Sequence, residues 1–423
     1  MEQKLEVLHG IELMGKENFG EEFWTSEMNY LPEVHQNFPK ETLIYDVTLR
    51  DGEQAPGVCW NEDERVRIAE ELEEMGLKRL EIGMPATSKT IAKAVKRLQN
   101  NGTKLDLVAL CRANKKDIDL ALDMGVKSVI VEHSINPYTC KYAMGLEYEE
   151  LMDRLITSTQ YAMENGLNTN FFGWDALRTS IPYLQKVFGT IVKECHPHSI
   201  TITDTVGTAL PATAKLVVEK VREAVGDTPI QWHGHNEFGM GTACALAAIE
   251  GGAAGVHTAM NGLGERTGNA PTEEVVMALE LLCGVKTGVH LEKIGPASKL
   301  IEAVGKAELS SNKPIVGRNL EVVESGLVTD VFQKMRKVGI KVGMSCFTQE
   351  MVGNPPMKDA IGKGSGKANI VTYLVKNNVN PDEITKEQMG EIIDRVKTES
   401  RIRKGLLDEA TLMRIVFAVL AKE

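Results

Sequence analysis

Between Thr42 and Asn261 the chain carries eight apolar, β-branched runs of strand length, separated by stretches whose apolar residues recur at helical spacing. The runs fall at 42–49, 77–85, 104–111, 126–134, 168–176, 199–207, 230–236 and 253–261. Asp63–Met75, Thr90–Asn100 and Asp117–Met124 are among the amphipathic stretches between them. Eight strands alternating with helices over roughly 250 residues predict a (β/α)8 TIM barrel. An open doubly wound sheet is the alternative. The strand count and the lack of a Gly-rich turn after the first strand argue against it.

Around this core the pattern changes. Residues 1–40 carry aromatics (Phe19, Phe23, Trp24, Tyr30, Phe38) without a clean period and read as an N-terminal arm that packs on the body or on a partner. The barrel domain is expected at 41–285, a connecting helix at 286–310, and a small, mainly helical C-terminal domain at 311–423. A net charge of −11 argues against a general nucleic-acid or anionic-membrane binder, so any positive charge for anionic substrates must be local. No run approaches 18 consecutive apolar residues, and the acidic start is no signal peptide. Seven cysteines without a Cys-x-x-Cys pair read as free thiols in a reducing cytoplasm.

Chemistry in such a barrel sits at the C-terminal ends of the strands. His233 and His235 close the seventh run two residues apart, so both imidazoles point the same way. Asp51 follows the first strand and Asn269 lies just past the eighth. A carboxylate, two imidazoles and an amide oxygen on one rim suit a divalent metal, Mg, Mn or Zn, with open positions for substrate. His196 and His198 precede the sixth strand, on the opposite rim, and read as surface structure.

Several segments in order also carry a family likeness. Asp46–Gln54 resembles the opening motif of the metal-dependent isopropylmalate, citramalate and homocitrate synthases, the acyltransferases and lyases with a pyruvate carboxyltransferase domain. His233–Asn236 is similar to their metal-binding strand, Asn261–Asn269 to their last-strand loop, and Glu81–Pro85 and Asp204–Gly207 also match. The resemblance implies that Asp51, His233, His235 and Asn269 bind metal. It implies that Arg50 stabilises an alkoxide, that Thr205 holds a substrate carboxylate, and that Gln54 touches substrate or orders the loop. Arg112, ending the third strand, is a further candidate for a carboxylate.

The departures lie on the proton-transfer side. Where the synthases carry Glu-Asp-Ala-x-Arg-Thr after the fifth strand, this chain reads Trp174-Asp175-Ala176-Leu177-Arg178-Thr179. Where they carry His-Glu-Ser-Gly-Ile-His in the second domain, it has Val323 and Val328 at both His positions. Valine moves no proton, so the acid–base groups must come from elsewhere. Asp175 is the nearest carboxylate left, His133 closes the fourth strand, and Glu324 and Tyr373 are more distant candidates. Gly362–Gly366 with Lys367 resembles a phosphate cradle for CoA, though Ala368 stands where a P-loop has Ser or Thr. The chain stops where the family's leucine-sensing domain would begin, so leucine feedback through it is not expected.

The implied activity is a Claisen-type condensation of an acyl-CoA with a 2-oxo acid by a cytoplasmic homodimer. A lyase of the hydroxymethylglutaryl-CoA type, or a non-catalytic metal-binding paralogue, are the alternatives. The lyase's Cys-containing Gly loop is not visible here.

Overall fold

The computed structural model describes residues 19–34 and 37–421. They form two compact units, one of residues 28–309 and one of residues up to 27 with 310–421.

The larger unit is a closed, all-parallel barrel of eight strands in chain order. The strands are β1 (Leu43–Asp46), β2 (Arg79–Gly83), β3 (Asp106–Arg112), β4 (Ser128–Ser134), β5 (Asn168–Trp174), β6 (Ser199–Asp204), β7 (Ile230–Gly234) and β8 (Gly255–Thr258). The ring closes where β8 pairs with β1, from Leu43 beside Gly255 to Asp46 beside Thr258. Helices follow the strands: α1 (Glu62–Glu74), α2 (Lys89–Asn100), α3 (Lys115–Met124), α4 (Tyr148–Glu164), α5 (Ile181–Cys195), α6 (Pro211–Val225), α7 (Gly241–Glu250) and α8 (Thr272–Leu282). Their starts are written in the sequence. Asn61 and Glu64 form a reciprocal capping box on α1, Ser88, Asn114 and Ser180 cap α2, α3 and α5, and Pro211 opens α6.

Tyr45, Val108, Leu110, Ile130 and Phe172 cluster inside the barrel, with Met84 and Trp174 packed on them. Below the mouth the interior turns polar. Asn170 donates to Ser199 Oγ (2.7 Å) and Gln231 Oε1 (3.4 Å), and accepts from Thr201 (2.9 Å). A polar group inside a packed barrel is tolerated only when bonded in this way. A ninth helix, α9 (Ile294–Gly305), belongs to the barrel unit and is tied to the loop after β8, where Asn261 and Ser298 exchange hydrogen bonds.

The smaller unit holds four helices, α10 (Gly326–Lys337), α11 (Lys367–Lys376), α12 (Lys386–Arg403) and α13 (Glu409–Leu420). It also holds a two-residue parallel pair, β9 (Val322–Val323) with β10 (Lys358–Asp359). Ile370, Leu374, Ile392, Val396, Leu412 and Val416 are buried together in its core. The described start of the chain joins this unit through Trp24, whose amide donates to Cys346 O (2.8 Å). No helix among the described residues is long and apolar enough to cross a membrane. All seven cysteines are free.

Candidate active site

The C-terminal rim is shaped first by the turn after β1. The amides of Arg50, Asp51 and Gly52 all point back to Val47 O (2.9–3.2 Å), which aims the Arg50 and Asp51 side chains into the mouth. Arg65 of α1, 1 % exposed, holds this turn from behind. It donates to Leu49 O (2.7 Å), Ile82 O (2.9 Å) and Glu53 (2.5 Å), tying the ends of β1 and β2 together.

His233 lies inside β7, and His235 just beyond it is bridged to Asn269. The two Nε2 atoms stand 3.4 Å apart, and Asp51 Oδ2 lies 3.4 Å from His233 Nε2 and 3.9 Å from that of His235. One ligand atom from each of the three residues falls within 4.8 Å of the others, and all three residues are buried. Asn269 sits beside them. Its Nδ2 donates to Leu263 O (3.0 Å), leaving Oδ1 buried and unbonded. Asp51 Oδ1 is likewise buried without a partner.

A further residue, His257 of β8, decides which lone pairs face the cluster. Its Nε2 lies 2.9 Å from Gln231 Oε1, an acceptor, so Nε2 carries the proton and Nδ1 is bare. His233 Nδ1, 3.3 Å from that bare nitrogen, must then donate. The neutral ring of His233 therefore presents an unprotonated Nε2 to Asp51 and His235. Lone pairs converging in a buried place repel one another unless a cation lies between them, and two imidazoles with two oxygens fit a divalent ion of the Mg, Mn or Zn kind.

The electrostatics agree. Burial alone would raise the Asp51 carboxyl, but the Arg50 guanidinium beside it outweighs this and holds it well below the usual range. Burial lowers His233, and burial with the neighbouring His233 lowers His235 to about 4. All three are thus deprotonated near pH 7, as metal ligation requires.

Arg50 donates to Glu81 (2.7 Å), Asp51 (2.9 Å) and Gln54 Oε1 (3.2 Å). Burial opposes its charge, yet Glu81 and Asp51 keep it firmly protonated. Its Nη2 is buried and unbonded, a donor aimed at nothing in the protein. Glu81 is fully buried and is pushed up to about 7 by that burial, against the pull of Arg50. Thr205 stands just past β6, where its Oγ1 accepts from Asp175 N (2.7 Å) and keeps its own proton to give.

The remaining sequence candidates are engaged within the protein. Asp175, with φ 60°, is held at both oxygens by Arg178 (2.6 Å each), and Thr139 adds a third bond (3.1 Å). A carboxylate so engaged anchors the rim loops. His133 shares its face of β4 with the outward Val131. It bonds Ser134 O (2.9 Å), lies under the charge of Arg154 on α4, and lines a cavity that Glu132 also lines. Arg112 closes β3 but commits Nε and Nη2 to Asp117 (2.7 and 2.9 Å). The Gly362–Gly366 loop is no empty cradle, because Gly364 N donates to the protein's own Glu324 carboxylate (2.8 Å). A Cβ at Gly362 would lie 2.4 Å from that same carboxylate. Tyr373 gives its hydroxyl to Asp359 O (2.6 Å). His198 accepts from Thr169 N (3.2 Å) at the start of β5, on the rim away from the cluster.

Two acids of the inner face had no role assigned from sequence, Glu81 and Glu132, and His257 went unnoticed. The signal for Glu132 was parity: it lies two residues from the inward Ile130, whereas His133 does not. A cavity of about 880 Å³ lies at the ends of β3 to β5 beside α4, with Met84, Arg112, Glu132, His133, Arg154 and Trp174 in its lining.

The family model described as HMGL-like matches residues 41–301. The homocitrate synthase AksA of Methanopyrus kandleri is 35% identical over 374 residues, covering 87% of this chain and 90% of that one. The 2-isopropylmalate synthase of Methanocaldococcus jannaschii is 34% identical, covering 85% and 68%. The (R)-citramalate synthase CimA of the same organism is 34% identical, covering 90% and 75%. Among solved structures, the HMG-CoA lyase of Bacillus subtilis superposes with a TM-score of 0.58 at 24% identity, over 65% of this chain and 97% of that one, a likeness of fold.

Proposed function

The chain belongs to the HMGL-like family, and from that premise we propose that it condenses an acyl-CoA, acetyl-CoA in the simplest case, with a 2-oxo acid. The observation that carries the reading is the convergence of the buried Asp51 carboxylate, the bare Nε2 of His233 and the ring of His235, with Asn269 Oδ1 unbonded beside them. A divalent ion held there would supply the Lewis acidity that polarises a ketone.

The chain's own residues supply the rest. The unbonded Nη2 of Arg50 is a fixed cationic donor beside the cluster, placed to meet the oxygen that becomes an alkoxide as the ketone carbon is attacked. Glu81 and Gln54 fix the guanidinium, so little reorganisation remains to be made in the transition state. The Thr205 hydroxyl is free to donate to the substrate carboxylate. Trp174 packs against the interior cluster at the cavity wall and excludes water there. The donor set suits Mg, Mn or Zn alike. The relatives named for homocitrate, isopropylmalate and citramalate synthesis differ in the 2-oxo acid their names imply, so the acid is left to experiment.

The test is thiol release from acetyl-CoA by the metal-loaded protein, offered pyruvate, oxaloacetate, 2-oxoglutarate or 2-oxoisovalerate separately. Release with one acid, at least about 100-fold above an Asp51→Ala control, is expected, in the range that loss of an electrostatic catalytic element costs. Silence across the panel with metal firmly bound would reject the condensation. We also propose a homodimer. The catalytic rim exposes Tyr138, Tyr142 and Phe238 by 71%, 77% and 73%, apolar surface suited to a covering partner. A fully active monomer by light scattering would exclude it.

A further inference from the structure

A condensation of this kind needs a base for the methyl carbon of the acyl thioester, and the groups that the resemblance would supply are Trp174 and Val328 here. The carboxylates along the catalytic rim can be taken in turn. Asp51 belongs to the ion cluster, and Glu81 is held by Arg50 at 2.7 Å. Asp204 accepts from Thr208 and Ala209, and Glu237 from Arg266. Glu53 is held by Arg65 and Trp60 N, and Asp175 by Arg178 and Thr139. Among the described residues of the inner face, Glu132 has no hydrogen bond or ion pair to its carboxylate.

Its position fits the task. Glu132 stands on β4 between Arg112 of β3 and Phe172 of β5. Phe172 meets the ring of His233 edge to face, with centroids 5.2 Å apart. The side chain is half-buried and lines the 880 Å³ cavity at the ends of β3 to β5. The charges acting on it are Arg50 and Asp51 across the mouth, Arg112 beside it, and Asp117 behind Arg112. Burial raises its carboxyl above the usual range. No structural partner explains why a carboxylate is kept there.

We propose that Glu132 is the catalytic base, taking a proton from the methyl carbon of the acyl thioester; the inference rests on the condensation reading. The C–H electron pair forms the new carbon–carbon bond to the ketone carbon of the 2-oxo acid. The ketone π pair moves onto its oxygen beside Arg50 Nη2, and that oxygen then takes up a proton. Water afterwards cleaves the thioester, giving the free carboxylate and the CoA thiol, with the Glu132 proton returned to solvent or product.

The experiment uses the full-length, metal-loaded protein and the four 2-oxo acids above. Glu132→Gln is expected to lower kcat for thiol release at least about 100-fold, with KM for the 2-oxo acid and metal content within about threefold of the parent. Glu132→Asp should recover part of the loss, and metal content shows that each variant is folded. A Glu132→Gln protein with kcat within about threefold, or with a raised KM and unchanged kcat, would overturn the assignment. If no acid yields thiol, the condensation fails on its own. Glu132 is then read by deuterium uptake into the acetyl-CoA methyl in D2O: uptake lost in Glu132→Gln keeps the base, and uptake that is absent from the parent or unchanged in the variant removes it.

Discussion

At the scale of single residues, the site is set by side chains that never touch substrate. His257 is fully buried, and its contact with His233 is what leaves His233 Nε2 bare. A group that orients a metal-binding imidazole contributes roughly 10–100-fold in affinity. His257→Phe keeps a ring of similar size and loses the acceptor, so the metal Kd should rise by about 10–100-fold. Competition with a chelator of known affinity measures it, and a Kd within about threefold of the parent would show that His233 needs no partner. The same scale marks where sequence reading stopped. His257 lies 24 residues from His233, and Glu324 lies 40 from Gly364, so nothing in local spacing announces either contact. His133 is an ionisable residue at a strand end, and side-chain alternation puts it on the opposite face from its neighbour Glu132, although both line one cavity. Residue chemistry is legible there, whereas the face a side chain takes needs an inward anchor such as Ile130.

At the scale of elements, the alternating runs were legible because a strand buried in a closed barrel and an amphipathic helix leave unlike periodicities. Each of the eight runs became a strand, shorter than its apolar stretch because the chain leaves the sheet where turn chemistry begins. The run 199–207 ends as strand at Asp204, and Gly207 then takes φ +58°. The loop after β8 shows what an element does for the site. Gly264, at φ +150°, lets the backbone lie against the cluster. A Cβ there would stand 2.4 Å from Asn269 Nδ2 and 3.1 Å from Asp51 Oδ1. Both neighbours belong to the ion cluster, so the clash can be relieved only by moving a ligand. Gly264→Ala should therefore weaken metal binding by at least about tenfold and destabilise the fold by about 1–3 kcal/mol. Isothermal titration and urea unfolding separate the two effects. Unchanged metal affinity in a destabilised variant would show that the loop shapes only the fold.

At the scale of the whole molecule, Asp51, His233, His235 and Asn269, with Arg50 and His257 behind them, all come from residues 28–309. The smaller unit has its own buried core and contributes none of these groups. Metal binding should thus be a property of the barrel alone. Residues 28–309 produced by themselves are expected to bind the ion with a Kd within about threefold of the full chain. An ion that binds only the folded state adds about 2.7 kcal/mol at 100 times its Kd. For a unit of this size that raises the unfolding midpoint by roughly 5–10 °C. Calorimetry with and without metal measures the shift, and Asp51→Ala should abolish it. In the full chain only the transition of the barrel should move. If the isolated barrel folds yet binds no metal while the full chain does, the ligand set is incomplete as drawn and the smaller unit supplies a missing group.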